Sequence, residues 1–508
     1  MRRVWRSIGV RFGLFGAAAI LGACPTALDD RCAENACVRP DAGASADADG
    51  EVPGVVAPAD CDEAADAIAP EAKGCIVDAF AVFVDGDGGD DGNDGTKAKP
   101  LKTIGAAIGK IASTGKRRIY ICGSATYAEH VHLTTATSIH GGFACGTWEA
   151  QSGIKPKVAP ADKGYALHVE NVAAPVKLSD LELRAADVSG LKDGTSSIAV
   201  FASRANLTLL RVAVHASNGA DGSPGQSGGP GAITHVSSGT LDANGNAASG
   251  AIGGARKECT CSSSTHVTAG GAGGSNGTGG GPGAPNYGAA APKNGAGGIG
   301  NRGECTGDGS GRNGADAPPA ANAAPPATRG ALGADGWTPA RGVDATENGK
   351  PGQGGGGGGA ITNSTGGSGG GCGGCGGFAG KGGGGGGASI ALLAHESTVR
   401  IAHSTLETGA GGAGGTGGAG GPGAEGGIGG TTGACMGGKG GRGADGGAGS
   451  GGAGGVSIGV LYVGSAPIID AATTITVGTS GAGGRGGKSP DNDGPPGVAE
   501  KIKDATQL

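Results

Sequence analysis

Large side chains are scarce in this chain of 508 residues. Trp, Tyr and Phe together make up 3% of it, and Met occurs twice. A chain this long would ordinarily divide into several domains, but there is too little bulk here to fill several conventional cores. Aromatic platforms for the apolar faces of sugars are equally short. Beyond residue 23 the only Trp are Trp148 and Trp337, which weighs against a polysaccharide-cleaving enzyme. No apolar run reaches the roughly 20 residues of a membrane-spanning helix. No basic run occurs past the N-terminus and the net charge is −6, which argues against nucleic acid or anionic lipid as a partner. What fills the space is Gly, 119 residues of it. Gly loses more conformational entropy on ordering than any other residue. So Gly-rich a chain needs a repetitive backbone scheme, or it stays disordered.

The N-terminus carries Arg2, Arg3, Arg6 and Arg11, then an apolar stretch from Phe12 to Leu21. That is the layout of an export signal. The following Leu21-Gly22-Ala23-Cys24 resembles the lipobox of bacterial lipoproteins. The resemblance implies cleavage after Ala23, a lipid on Cys24 and membrane attachment through that lipid. Pro25 offers no acidic retention signal, so the expected location is the cell envelope, at the outer membrane or cell surface. Loss of residues 1–23 makes the chain four charges more negative. Export implies an oxidising compartment, and setting Cys24 aside leaves an even number of the 13 Cys. Near-neighbour disulfides are expected for Cys32 with Cys37, Cys61 with Cys75, and Cys122 with Cys145. The pairing of Cys259, Cys261, Cys305, Cys372, Cys375 and Cys435 stays open. Cys372 and Cys375 form a CxxC, but without the partner ligands of a zinc site.

Residues 24–78 are acidic and Ala/Asp/Pro-rich and read as a tether. Within 79–218, Val82–Val84 and Ile119–Cys122 predict strands, as do His130–Leu133 and Ser138–His140. Ile104, Ile108 and Ile111 predict a short helix over Thr103–Ala112. The segments Asn93-Asp94-Gly95-Thr96, Lys99-Pro100-Leu101-Lys102-Thr103-Ile104 and Ala125-Thr126-Tyr127-Ala128-Glu129 resemble the opening of right-handed parallel β-helices of the pectate-lyase-like superfamily. That resemblance implies an all-β fold, a right-handed parallel β-helix whose open end the short helix caps. The repeated strands Ser197–Ala202, Ser389–Ala394 and Ser457–Tyr462, each with a second strand (Leu207–Leu210, Thr398–Ile401, Thr473–Val477), suit stacked coils. Tyr165–Val169 with Val176–Leu183 reads as an earlier coil. Coils are thus expected within 79–218, at 389–408 and at 456–480, with Gly-rich inserts at 219–388 and 409–455 and a polar tail at 481–508.

The inserts keep a period of three. Gly stands at 219, 222, 225, 228 and 231, at 411, 414 and onward to 429, and at 437, 440 and onward to 455. Three residues per turn is the repeat of an extended left-handed helix. Pro is too sparse for collagen. The tracts resemble the polyglycine-II bundles of some Gly-rich adhesin tips and antifreeze proteins, and the Gly-rich (PGRS) repeats of mycobacteria. Packed inserts are expected rather than flexible linkers, which have no need of phase.

Signals for chemistry are thin. Asp85, Asp87, Asp90 and Asp91 lie in a Gly-rich loop whose oxygens would suit Ca²⁺, the one cofactor considered. The loop lacks EF-hand spacing, and the favoured reading is a set of solvated turns. Asp180, Arg204 and Arg211 are the catalytic candidates a β-helix enzyme would use, with Glu182, Arg184, His395 and His403 behind them. Nothing groups them in sequence. The nine His show no metal-ligand spacing, and His130 and His132 alternate on one strand as surface residues. The expected function is a non-catalytic structural or adhesive envelope protein, with extracellular polysaccharide or a neighbouring cell surface as partner. The alternative is a polysaccharide lyase or hydrolase; a third reading is a repetitive-surface binder of Ca²⁺ or an ice-like lattice.

Overall fold

The structure is a computed structural model and describes residues 58–61 and 73–508, apart from 238–240, 264–266, 288–293, 302–303 and 306. The export signal, Cys24, Cys32 and Cys37 lie outside the described residues. Alternating apolar residues in short strands build three long parallel sheets. The first runs from Ala81–Asp85 through Arg118–Cys122, Ser138–Phe143, Pro175–Ser179, Asn206–Leu210 and Thr398–Ala402 to Ile468–Ile469. The second runs from Thr126–Tyr127 to Thr474–Thr476, and the third from Val131–Leu133 to Ala499–Asp504. Each pass of the chain gives one strand to the third sheet, one to the first and one to the second, as in Ser197–Ser203, Asn206–Leu210 and Ala213–Ala216. The next pass, Ser389–His395, Thr398–Ala402 and Thr405–Thr408, pairs with it in register. The result is all-β and parallel-stranded, consistent with a parallel β-helix.

Inward positions fill one core with Val, Leu and Ile, among them Leu133, Leu167, Val200, Leu207, Leu392 and Val460. The helix Ile104–Thr114 closes the N-terminal end of this core with Ile104, Ala107 and Ile111. Thr103 caps it, accepting a hydrogen bond from the Ala106 N–H, and Gly115 ends it in the left-handed region. The stretch Val176–Leu183, read as part of an earlier coil, divides between two strands of different sheets. Asp180 breaks it at φ 56°, turning the chain a corner.

The expected polar tail is a correction. Ala499–Asp504 pairs with Ser457–Val463 as the last strand of the third sheet, and Leu508 is buried. Glu500, Lys501 and Lys503 hid the strand, because an outermost edge carries charge rather than apolar alternation. The insert 219–388 also contains strands. Ile233–Val236, Lys257–Cys261 and Val267–Gly270 form an antiparallel sheet. The hairpin of Gly330–Gly333 and Gly336–Pro339 lays Trp337 against Ile198, Phe201, Ile390 and Leu393 on the outer face of the third sheet.

The Gly tracts leave the stack after the second-sheet strand and return before the third-sheet strand. They are packed. The N–H groups of Gly222, Gly225 and Gly228 donate to the carbonyls of Ala413, Thr416 and Ala419, while Gly412, Gly415 and Gly418 donate to Gly387, Gly384 and Lys381. Steps of three match on both strands of each pair, so the outgoing limbs of the two inserts run parallel, and the outgoing limb of the second runs antiparallel to the returning limb of the first. Asn218, Asp221, Asn313 and Asp316 supply side-chain oxygens to N–H groups at the bundle edge.

Five disulfides are present among the described residues. Cys61 is bonded to Cys75 and Cys122 to Cys145. The open pairings resolve as Cys259–Cys372, Cys261–Cys375 and Cys305–Cys435.

Candidate anion-binding groove

On the first sheet every second side chain points away from the core. Ile119 and Ile121 face inward while Arg118 and Tyr120 face out. Val176 and Leu178 bracket Lys177, and Val399 and Ile401 bracket Arg400. Register then brings the outward groups together: Lys177 pairs with Thr208, and Thr208 with Arg400. They line a groove of about 490 Å³ with Arg117, Arg118, Ser138, Asn206 and His140. Four of its lining residues are cationic and none is a carboxylate.

The groove floor is held by aromatic packing. Tyr120 lies edge-on to Phe143 and tilted on His140, and the Arg118 guanidinium sits over the Phe80 ring at 5.4 Å. That ring attraction fixes a residue only 8% exposed. His140 is fully buried. Its Nδ1 meets the Ser179 hydroxyl at 2.9 Å, and its Nε2 has no partner among the described residues. Burial, then the positive charges of Arg118, Lys177 and Arg211, hold its pKa well below the ordinary imidazole range. The neutral ring beneath a cluster of cations leaves a strongly positive recess. Such a recess offers fixed donors to an anion.

The catalytic candidates fall elsewhere, mostly at corners between sheets. Asp180, Arg211 and His403 occupy the same corner of successive passes, each with positive φ, and Arg204 occupies the other corner with Asn171 and Glu396. Asp180 and Arg211 bind one another through two hydrogen bonds of 2.7 and 2.6 Å. Arg204 donates to Asn171 at 2.7 Å, and the His403 N–H donates to Asp470. Glu182 pairs with Arg184 and Lys157 on the second sheet. His395 ends a third-sheet strand with a buried Nδ1 that has no partner among the described residues. None of these residues lines the groove, and the charges of Asp180 and Arg211 satisfy each other.

The acidic loop holds its own backbone. Asp85 accepts from the N–H of Asp87 and Gly88, Asp90 from Gly92, and Asp91 from Lys102 and Thr103. These are Asx turns and a tie to the start of the helix.

No family model, curated protein or solved structure matches the chain. The site therefore stands on its own geometry. The residues that make it were readable as a pattern: Val176-Lys177-Leu178, Leu207-Thr208-Leu209 and Val399-Arg400-Ile401 are the same strand unit with a polar centre. Aligning the repeats would have stacked Lys177 over Thr208 and Arg400. The roles of Arg118 and His140 had no such signal, because the strands there do not repeat.

Proposed function

We propose that this protein is a non-catalytic adhesive component of the cell envelope, anchored by lipid on Cys24, which grips an acidic polysaccharide in the first-sheet groove. The observation that carries the reading is the groove's charge: Arg117, Arg118, Lys177 and Arg400 with no carboxylate among its lining residues, in a chain whose net charge is −6. Negative charge elsewhere repels an acidic polymer, so contact is focused where the sign inverts. The groove is open and lies along a sheet, which suits a chain-like ligand. The Asp and Arg suited to catalysis are tied in corner ion pairs, which favours binding over turnover.

The scaffold reading is a right-handed parallel β-helix with polyglycine-II-like inserts. Its supports are the three in-register parallel sheets and the every-third-residue bonding of the Gly tracts. A stack so crosslinked makes a stiff spacer between membrane and ligand.

The test is binding of the purified protein to uronate-bearing and neutral polysaccharides, with Lys177→Glu and Arg400→Glu alongside. Acidic glycans are expected to bind, salt to weaken them, and each charge reversal to cost about tenfold in affinity. Equal binding of neutral glycans, or no effect of either reversal, sinks the reading. New reducing ends or unsaturated products would overturn its non-catalytic half. Cys24→Ser is expected to move the protein from the membrane fraction to the soluble one.

A further inference from the structure

A second site lies on the outer face of the third sheet, independent of the groove. His132 and His168 are direct partners in adjacent parallel strands. Glu170 stands two residues beyond His168 in the same strand, so its side chain leaves the same face. One ligand atom from each of the three lies within 4.8 Å of the others. We propose that His132, His168 and Glu170 form a three-ligand site for a divalent cation of the Zn²⁺ class, with its remaining coordination open to solvent.

The donor set decides the class. Two imidazoles and one carboxylate suit zinc and its neighbours rather than Ca²⁺ or Mg²⁺, which take all-oxygen shells. Bonds of roughly 2.0–2.1 Å put the ligand atoms of a tetrahedral site about 3.4 Å apart. The His132 Nε2 and the Glu170 Oε2 are already 3.4 Å apart. The imidazoles stack at 4.7 Å between centroids and 6° between planes. For both lone pairs to meet one ion, His132 must tilt, and with half its side chain exposed it has room to do so.

His168 points to a ligand on a separate ground. Its Nε2 is buried and has no partner among the described residues, an arrangement that costs stability unless something occupies it. Phe201 stacks on the other face of His168 at 4.8 Å and Tyr165 tilts against it, fixing the ring. The Asn171 amide donates to the Glu170 Oε1 at 3.3 Å, and Arg204 lies 4.0 Å from the same oxygen, leaving Oε2 turned to the imidazoles. Supporting bonds of this kind orient metal-binding carboxylates.

The experiment is Zn²⁺ titration of the chelator-stripped protein by calorimetry, with the visible spectrum of the Co²⁺ form. Wild type is expected to take up one equivalent that is lost or weakened by at least about tenfold in His132→Ala, His168→Gln and Glu170→Gln. His130→Ala is the control. His130 lies two residues from His132 but spends its ring on the Tyr165 carbonyl and Asp162, so that variant should bind as wild type. His132→Ala removes only a half-exposed ring, and circular dichroism checks its fold. No uptake by wild type overturns the proposal, as does uptake unchanged in the three ligand variants or reduced equally in His130→Ala.

Discussion

Single side chains here answer to charge and burial more than to catalysis. His140 and His130 show the two signs. The unfolded His140 takes up a proton near pH 6.5, but the buried ring, whose pKa lies well below that, does not. The unfolded state therefore binds more protons as pH falls, and this residue's contribution to stability declines below about pH 6.5. His130 works oppositely. The Tyr165 carbonyl and Asp162 raise its pKa, so its stabilisation is complete below about pH 6.5 and fades as pH rises through the higher folded value. The wild-type profile is a balance of the two, and only a difference isolates one. Thermal midpoints at about pH 7.5 and 5 should fall further on acidification in wild type than in His140→Gln. Matching slopes would show that His140 already protonates in the folded protein. The corner residues carry another lesson of this scale. Asp180, Arg204, Arg211 and His403 were expected as polar groups projecting from strands on one face, and they stand instead at the sheet-to-sheet corners with positive φ.

At the scale of elements, period and packing separate two kinds of Gly. Gly452 sits in a tract where an added Cβ would lie 2.0 Å from the Gly384 carbonyl oxygen. Gly109 lies within the helix Ile104–Thr114, with nothing within 4 Å of the same added atom. Gly452→Ala is expected to lower stability by about 1–3 kcal/mol through overpacking. Gly109→Ala should raise it by roughly 1 kcal/mol through helix propensity. Denaturant midpoints of the two variants measure both. A Gly452→Ala protein as stable as wild type would mean that the tract has slack its close contacts deny. Much at this scale was legible in the sequence. The helix was expected at Thr103–Ala112, and the repeated strands at Ser197, Ser389 and Ser457 begin where their spacing says. The last strand was not legible, since Glu500, Lys501 and Lys503 look like a solvated tail until the edge they cover is known.

For the molecule as a whole, crosslinks stand in for a large core. Cys259–Cys372 and Cys261–Cys375 close loops of 113 and 114 residues side by side. With one in place the other closes only a short ring, so the two contribute unequally by order of removal. In the chain-entropy picture, replacing Cys259 and Cys372 by Ala should cost about 2 kcal/mol, and replacing all four Cys roughly 5 kcal/mol or more. Guanidinium unfolding of the two variants gives the comparison; losses in simple proportion to the number of bonds removed would contradict it. Sequence alone determined the alternation of strands, the period-three phase of the tracts, and two near-neighbour disulfides, Cys61–Cys75 and Cys122–Cys145. Those are local properties, readable within a few residues. The tertiary structure alone decided the long-range disulfides, the cationic groove and the juxtaposition of His132 with His168 and Glu170. Stacking sets residues far apart in the chain, such as Thr208 and Arg400, on neighbouring rungs of one sheet, and the lengths of the intervening tracts carry no information about which rung a residue will reach.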